Sequence, residues 1–218
     1  MSPGDKYLFV LFDLDGTLTD SRIGITRAVQ YALGRQGIVV ENADDLTPYI
    51  GPPLEWSFTE FHGLSESQAK QALGSYRVYY EGTGMLQNVT YPGIVDLLQY
   101  LSGKGKRLFV VTSKPGVYAE KILSHSQLDR YFVSIEGSEM DGTRADKTEL
   151  IRYVLDKHGL DRQRTVMIGD RMHDVVGAGR NAVDSIGVGY GFGSREELAS
   201  ARATYYVETV EEMFRLFS

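Results

Sequence analysis

Two pairs of aspartates each follow a short apolar segment of the chain. They are Asp13 with Asp15, and Asp170 with Asp174. Carboxylates at the carboxyl end of a parallel strand lie beside the crevice in which open α/β sheets bind their ligands. Close carboxylates can hold magnesium, which prefers oxygen ligands, or can supply a nucleophile beside a general acid/base. Each pair also fits a plainer role, because Asp15-Gly16 is a common turn signal and Asp170 could be a helix N-cap.

Hydroxyl groups and a lysine stand near the ends of two further segments. Thr112 and Ser113 follow an apolar segment and precede Pro115, and hydroxyls with free amides at a helix N-terminus predict an anion site. Lys147 precedes a helical pattern and can neutralise a phosphate as a point charge. Taken singly, these residues fit a helix cap and a surface lysine. Together, the acids, hydroxyls and lysine stand at or near the ends of successive elements, all on one edge of the inferred sheet.

The elements that must position these residues alternate between strand and helix. Short apolar, β-rich segments bounded by turn or charged residues predict strands at 7–12, 107–111, 131–135, 165–168, 185–188 and, as a short edge strand, 205–207. Helical patterns lie between them at 94–101, 118–123, 150–155 and 172–182. This alternation predicts an α/β fold with a Rossmann-like core, in which a parallel sheet is flanked by helices.

One long stretch breaks the alternation. Between residues 21 and 80 the patterns at 22–35, 53–61 and 66–80 are helical, and the stretch is far longer than a normal crossover helix. We expect residues 1–19 and 89–218 to form the catalytic core and residues 20–88 to form an inserted α-helical cap that closes over the substrate. Long basic or aromatic side chains of the cap are candidate substrate contacts, although each also fits a surface charge or a cap-core aromatic; they are Arg22, Trp56, Phe58 and Arg77.

Composition narrows the classes of partner. The 218-residue chain has a formal net charge of -6 and no Lys/Arg cluster, which argues against nucleic acid and anionic membranes as partners. It has no cysteine, so disulfides, thiolate metal sites and a cysteine nucleophile are excluded. The longest apolar run, residues 8–12, is too short to span a bilayer, and the N-terminus lacks the pattern of a signal peptide. We therefore expect a cytoplasmic protein.

The four motifs, in this order, resemble those of the haloacid dehalogenase-like superfamily, which run Asp-x-Asp-Gly-Thr, Thr/Ser, Lys and Gly-Asp-x-x-x-Asp. The match extends from Phe12 to about Leu198. The helical insert, residues 91–93 and the glycine-rich segment 187–193 are similar to the type-1 capped branch that includes phosphoglycolate phosphatase. The chain departs from that branch at Lys147, which a threonine follows where these enzymes often have proline, and again at residues 180–183.

The resemblance implies a role for each residue that would meet the phosphate. Asp13 would attack phosphorus and form an aspartyl-phosphate. Asp15 would protonate the leaving oxygen and then activate water. Thr112 and Ser113 would bind the phosphoryl oxygens, together with the backbone at Gly16.

It also implies how charge would be balanced. Lys147 would neutralise the aspartyl-phosphate. Magnesium would lie on the carboxylates of Asp13 and Asp170 and on the Asp15 carbonyl. Asp174 would orient Lys147 or a metal-bound water.

The resemblance therefore implies a magnesium-dependent phosphatase that hydrolyses a small-molecule phosphomonoester, similar to phosphoglycolate phosphatase. A nucleotide 5'-phosphatase, a pyrophosphatase or a phosphomutase would use the same core residues. The acid at Asp15 argues against a dehalogenase, and the complete set of acids with Lys147 argues against a phospho-ligand-binding module without activity. We expect a monomer or weak homodimer whose partner is a small phosphate ester.

Overall fold

The computed structural model describes residues 3–218 of the chain. Two compact units are present. One, which we call the core unit, consists of the segment that ends at Thr19 together with Thr90–Ser218. The other, the helical unit, is Asp20–Val89. The catalytic and substrate-closing roles expected for them stay predictions.

The strands are, in chain order, β1 (Phe9–Phe12), β2 (Thr19–Asp20), β3 (Val89–Thr90), β4 (Arg107–Pro115), β5 (Phe132–Ser138), β6 (Thr165–Gly169), β7 (Asp184–Val188) and β8 (Tyr205–Val207). The α-helices are α1 (Pro3–Lys6), α2 (Arg22–Arg35), α3 (Leu54–His62), α4 (Glu66–Gly82), α5 (Ile94–Gly103), α6 (Gly116–His125), α7 (Lys147–His158), α8 (Met172–Arg180), α9 (Arg195–Ser200) and α10 (Val210–Phe217). Short 3-10 segments cover Ala43–Tyr49, Gly84–Leu86, Asp129–Tyr131 and Arg162–Arg164.

Six strands of the core unit form one parallel sheet in the order β5-β4-β1-β6-β7-β8, while β2 and β3 pair in a separate two-stranded sheet. The register aligns Phe12 with Val110 of β4 and with Ile168 of β6. Residues that follow these three positions therefore lie at the same edge of the sheet, where β1 and β6 end and β4 continues. This alignment brings the separate sequence motifs together.

Helices cover both faces of the parallel sheet, so its central strands are buried. Every residue of β1 and β6 is buried, as expected when helices cover a parallel sheet on both sides. On one face, Phe109 of β4 packs in a cluster with apolar residues of α7, which include Leu150, Ile151 and Val154. Helix α5 contributes a regular apolar stripe, and its Ile94, Leu97, Leu98 and Leu101 are all buried.

The predicted fold class is confirmed, with shifted element ends. β4 continues to Pro115 and β5 to Ser138, because the two strands keep pairing past a register shift that follows Thr112. The sequence analysis missed β2, β3, α9 and α10. The two strands are only two residues each, too short for an alternating pattern. Helix α10 does carry a start signal, since Thr209 accepts a hydrogen bond from the Glu212 amide at 3.2 Å.

The helical unit forms its own apolar interior. Helix α2 has the predicted bounds, and its buried residues Ala28, Val29, Ala32 and Leu33 lie on the side that packs against α4. Ser65 starts α4 with a capping box, in which its hydroxyl accepts from the Gln68 amide at 3.3 Å.

Two of the aromatic residues proposed as substrate contacts differ in exposure. Phe58 is fully buried and its ring centroid lies 5.2 Å from that of Tyr49, so Phe58 is an aromatic residue of the unit's interior, which is the alternative role given above. Its helical position turns it into the interior of the unit. Trp56, two residues earlier, is 52% exposed.

Among the described residues, no helix is both long enough and apolar enough to cross a bilayer.

Candidate active site

Asp13 lies directly after β1, at the edge where the motifs meet. Its amide donates to the Ile168 carbonyl at 2.9 Å, which continues the β1–β6 pairing by one residue and holds the Asp13 backbone in place. The Asp13 side chain is 13% exposed and its Oδ1 lies 2.9 Å from the Lys147 ammonium. A carboxylate that is fixed in position and still partly open to solvent can reach a ligand.

Lys147 is the cation that contacts Asp13 and a buried aspartate, Asp174. It is the first residue of α7, which Asp146 caps by accepting a hydrogen bond from the Glu149 amide at 3.0 Å. Its buried Nζ lies 2.8 Å from Asp174 and donates to the Val111 carbonyl at 3.0 Å. Burial alone would lower the pKa of Lys147, but the carboxylates of Asp13 and Asp174 outweigh burial and raise it. Lys147 therefore stays charged.

Asp170 lies in a cradle of backbone. The Phe192 amide donates to Asp170 Oδ2 at 2.7 Å. A Cβ added at Gly16, Gly191 or Gly193 would overlap Asp170, and Gly16 also has a φ of +81°, a conformation that glycine adopts without strain. These contacts explain why glycine occupies the positions closest to Asp170. They hold its carboxylate in a single place.

A bound cation is favoured by the electrostatics of three aspartates that we call the acid group, Asp13, Asp170 and Asp174. Burial, with repulsion from Asp174 and Asp13, raises the pKa of Asp170 well above its usual range. Burial likewise raises the pKa of Asp174 to about 6, although Lys147 opposes the shift. Asp170 Oδ1 is buried and has no hydrogen-bond partner among the described residues. An unpaired buried carboxylate oxygen is costly, and a cation on it would remove that cost.

The residues present fit a divalent metal ion. Carboxylate oxygens of Asp13, Asp170 and Asp174 lie within 4.8 Å of one another, and an all-oxygen donor set suits a hard cation. The Asp174 carboxylate belongs to this group, whereas the family resemblance implies a place for Asp174 beside Lys147 or a metal-bound water. The Asp15 carboxylate is not in the group, and the contact implied for its carbonyl stays a prediction.

The Asp15 carboxylate instead meets a residue to which the sequence analysis gave no role. Asp15 Oδ2 lies 2.5 Å from the ammonium of Lys114, and the two side chains are 16% and 7% exposed. Lys114 directly follows Thr112 and Ser113, so its position next to a predicted strand-end motif was the available signal.

Thr112 and Ser113 are not at a helix N-terminus, and that expectation is wrong. Both lie within β4, which continues to Pro115 before α6 begins, and no side chain caps that helix. The Thr112 hydroxyl accepts from the Lys114 amide at 3.3 Å, and the Ser113 carbonyl accepts from the Ser138 hydroxyl at 2.9 Å. Phosphate binding by Thr112, Ser113 and Gly16 stays a prediction.

Comparison with known sequences finds one family along most of the chain. A family model described as haloacid dehalogenase-like hydrolase matches residues 10–188. A 5'-nucleotidase of Pseudomonas aeruginosa is 51% identical over 92% of this chain and 91% of its own length. Tyrosine-protein kinase PtkA of Mycobacterium tuberculosis is 37% identical over 97% of this chain and 73% of its own length. A phosphoglycolate phosphatase of Agrobacterium fabrum is 30% identical over 84% and 80%.

Solved structures agree with the sequence relatives. The crystal structure of a predicted phosphatase from Clostridium acetobutylicum superposes with a TM-score of 0.93. It is 46% identical, and the match covers 96% of this chain and 97% of that one.

The glycine cradle generates a prediction about cation binding. Gly193→Ala places a methyl group against the Asp170 carbonyl and should displace the carboxylate, which weakens Mg²⁺ binding about 10- to 100-fold in titration calorimetry. Gly179→Ala is the matched control, since nothing lies within 4 Å of a Cβ there and alanine favours the α8 helix. Unchanged Mg²⁺ affinity in a folded Gly193→Ala variant would show that the cradle does not position Asp170.

Proposed function

The chain belongs to the haloacid dehalogenase-like hydrolase family, and from that premise we propose that it hydrolyses small phosphomonoesters through a phosphoryl group carried on Asp13. Its phosphatase relatives support a phosphoric monoester hydrolase. The observation that carries the proposal is the Asp13 carboxylate at the end of β1, 2.9 Å from a buried, charged Lys147. That ammonium fixes the direction of the nucleophile and balances the charge that gathers during transfer.

In the first half-reaction, an Asp13 oxygen attacks phosphorus and the bond from phosphorus to the leaving oxygen breaks. Asp15 gives its proton to that oxygen, so an alcohol departs and Asp15 is left as a carboxylate. Thr112 and the Ser113 amide are the proposed contacts of the phosphoryl oxygens. Lys147 stays beside Asp13 throughout.

In the second half-reaction, water attacks the phosphorus of the aspartyl-phosphate and gives its proton to Asp15. The bond between phosphorus and Asp13 breaks, its electron pair returns to the Asp13 carboxylate, and phosphate leaves. Both aspartates are then in their starting forms. Lys147 neutralises the charge that returns to Asp13.

The acid group would hold Mg²⁺ through Asp13 and Asp170, with the Asp15 carbonyl as the ligand that the family resemblance implies. When bound, Mg²⁺ neutralises charge on the phosphoryl oxygens. Asp174 keeps Lys147 in place at 2.8 Å. The unpartnered Oδ1 of Asp170 is the feature of the chain that supports this assignment.

Two substrate classes compete, and the sequence relatives favour one of them. The relative named 5'-nucleotidase is 51% identical, while the phosphoglycolate phosphatase is 30% identical. We therefore propose a nucleoside 5'-monophosphate as substrate in preference to 2-phosphoglycolate, which the sequence motifs alone suggested. The cytoplasmic location and the monomeric or weakly dimeric state expected from the sequence stay predictions.

The nucleophile can be tested by one substitution. Asp13→Asn should lower phosphate release by about 10⁴-fold or more, because an amide cannot form the acyl-phosphate. Asp156→Asn is the control, since that aspartate is 65% exposed, and it should keep wild-type turnover. Acid-quenched wild-type enzyme should carry a labelled phosphoryl group that the Asp13→Asn variant lacks. Near wild-type phosphate release by the Asp13→Asn variant would exclude Asp13 as the nucleophile.

The raised pKa values of the acid group predict how Mg²⁺ binding depends on pH. A proton on Asp170 competes with the cation, so Mg²⁺ affinity should rise as pH increases through the raised pKa of Asp170. An acid whose pKa is raised on folding destabilises the metal-free fold as pH rises through that pKa. The increase in melting temperature caused by Mg²⁺ should therefore be larger at about pH 8 than at about pH 5. An increase that is equal at both pH values contradicts this assignment.

A substrate panel separates the two classes. With Mg²⁺ present, kcat/KM should be at least about tenfold higher for a nucleoside 5'-monophosphate than for 2-phosphoglycolate. ATP, pyrophosphate and a sugar phosphate complete the panel. A higher kcat/KM for 2-phosphoglycolate would reverse the substrate assignment and leave the Asp13 chemistry intact.

A further inference from the structure

We propose that Lys114 is a positioning residue that holds the Asp15 carboxylate in the orientation that proton transfer needs. The Lys114 ammonium contacts Oδ2 of that carboxylate. The inference rests on the proposed phosphatase function and adds to it a residue that orients the proton carrier.

The ion pair follows from the sheet register. β1 and β4 are neighbours, with Phe12 opposite Val110, so Asp15, which follows β1, and Lys114, near the end of β4, lie at the same edge of the sheet. Their charged atoms lie 2.5 Å apart. Both side chains are largely buried, at 16% and 7% exposure, so solvent screens this pair little. A charge-assisted hydrogen bond of this kind is among the stronger polar contacts in proteins.

Hydrogen bonds already fix the backbone around Asp15, so the motion that Lys114 restrains is rotation of the Asp15 side chain. The amides of Thr17, Leu18 and Thr19 all donate to the Leu14 carbonyl at 2.9–3.2 Å. The Gly16 amide donates to the Thr19 carbonyl at 2.8 Å. Within this tight loop, the Asp15 carboxylate could still rotate about its own bonds. The contact with Lys114 selects one orientation.

Lys114 holds one oxygen of Asp15 and thereby fixes the whole carboxylate. Oδ2 accepts the hydrogen bond from the ammonium, whereas Oδ1 is buried and has no hydrogen-bond partner in the described part of the chain. In the first half-reaction the Asp15 proton passes to the leaving oxygen as its bond to phosphorus breaks. In the second, the proton of the attacking water returns to Asp15 as the bond from phosphorus to Asp13 breaks.

Lys114 and Lys147 therefore serve different acids. Lys147 contacts Asp13 and Asp174, the nucleophile and its neighbour. Lys114 contacts Asp15, the proposed proton carrier. Loss of Lys114 should consequently weaken proton transfer to the leaving group and spare nucleophilic attack.

The test compares leaving groups in the full-length enzyme with Mg²⁺ bound. p-Nitrophenolate departs without a proton, whereas the alkoxide of an alkyl phosphomonoester needs one. Lys114→Met should lower kcat/KM, which reports the first half-reaction, about 100-fold for the alkyl ester that wild type turns over best and less than about tenfold for p-nitrophenyl phosphate. Lys114→Arg, which keeps the charge and the donors, should recover part of the alkyl-ester rate.

Lys157→Met is the matched control, since Lys157 also pairs with a carboxylate, that of Glu136 at 2.7 Å, but is 43% exposed. It should change neither rate. If Lys114→Met does not fold, Lys114→Gln removes the charge while keeping a donor, and the same ratio of rates decides.

Two outcomes overturn the inference: equal losses of kcat/KM for both esters, or no loss for either. A failure of the proposed function looks different. In that case wild type would release phosphate from neither ester, or Asp13→Asn would stay active. Selective loss of the alkyl ester in an enzyme that depends on Asp13 supports the role of Lys114.

Discussion

The buried ammonium of Lys147 is the interaction on which the rest of the site depends. Asp13 and Asp174 lie within 2.9 Å of it, and without a cation their charges would repel each other in a region that excludes water. Burial costs both partners part of their hydration, and the cost is recovered only when the geometry is close. The start of α7, capped by Asp146, supplies that geometry by placing Lys147 beneath the end of the sheet.

A second constraint is that Lys147 cannot serve every acid. Asp170 lies in the same group, yet its pKa stays raised because burial and two neighbouring carboxylates outweigh the hydrogen bond from the Phe192 amide. The glycine backbone holds the Asp170 carboxylate in place. A buried acid with a raised pKa is characteristic of a functional site, and here a bound cation would stabilise its charged form. Asp15 has its own cation, Lys114, so the proposed proton carrier does not depend on Lys147 for charge balance.

The proposed division of labour accounts for relatives with different names. A 5'-nucleotidase, a phosphoglycolate phosphatase and a tyrosine-protein kinase all match most of this chain. A carboxylate nucleophile with neutralising charges can act on any phosphoryl group, because phosphoryl transfer depends on positioning more than on the leaving portion. The core residues therefore determine the type of reaction, and the identity of the ester depends on contacts made elsewhere.

The sequence alone determined the fold class, most strands and helices, and the residues of the acid group, since apolar periodicity and acids placed after apolar segments are local properties. It did not determine pairings that depend on register. Lys114 reaches Asp15 because β1 and β4 are parallel neighbours, which aligns residues about 100 positions apart. Thr112 and Ser113 belong to β4 and not to a helix start, since pairing with β5 extends the strand. The choice between the two roles open to Phe58 also needed the tertiary structure, in which its ring packs against Tyr49 and is buried.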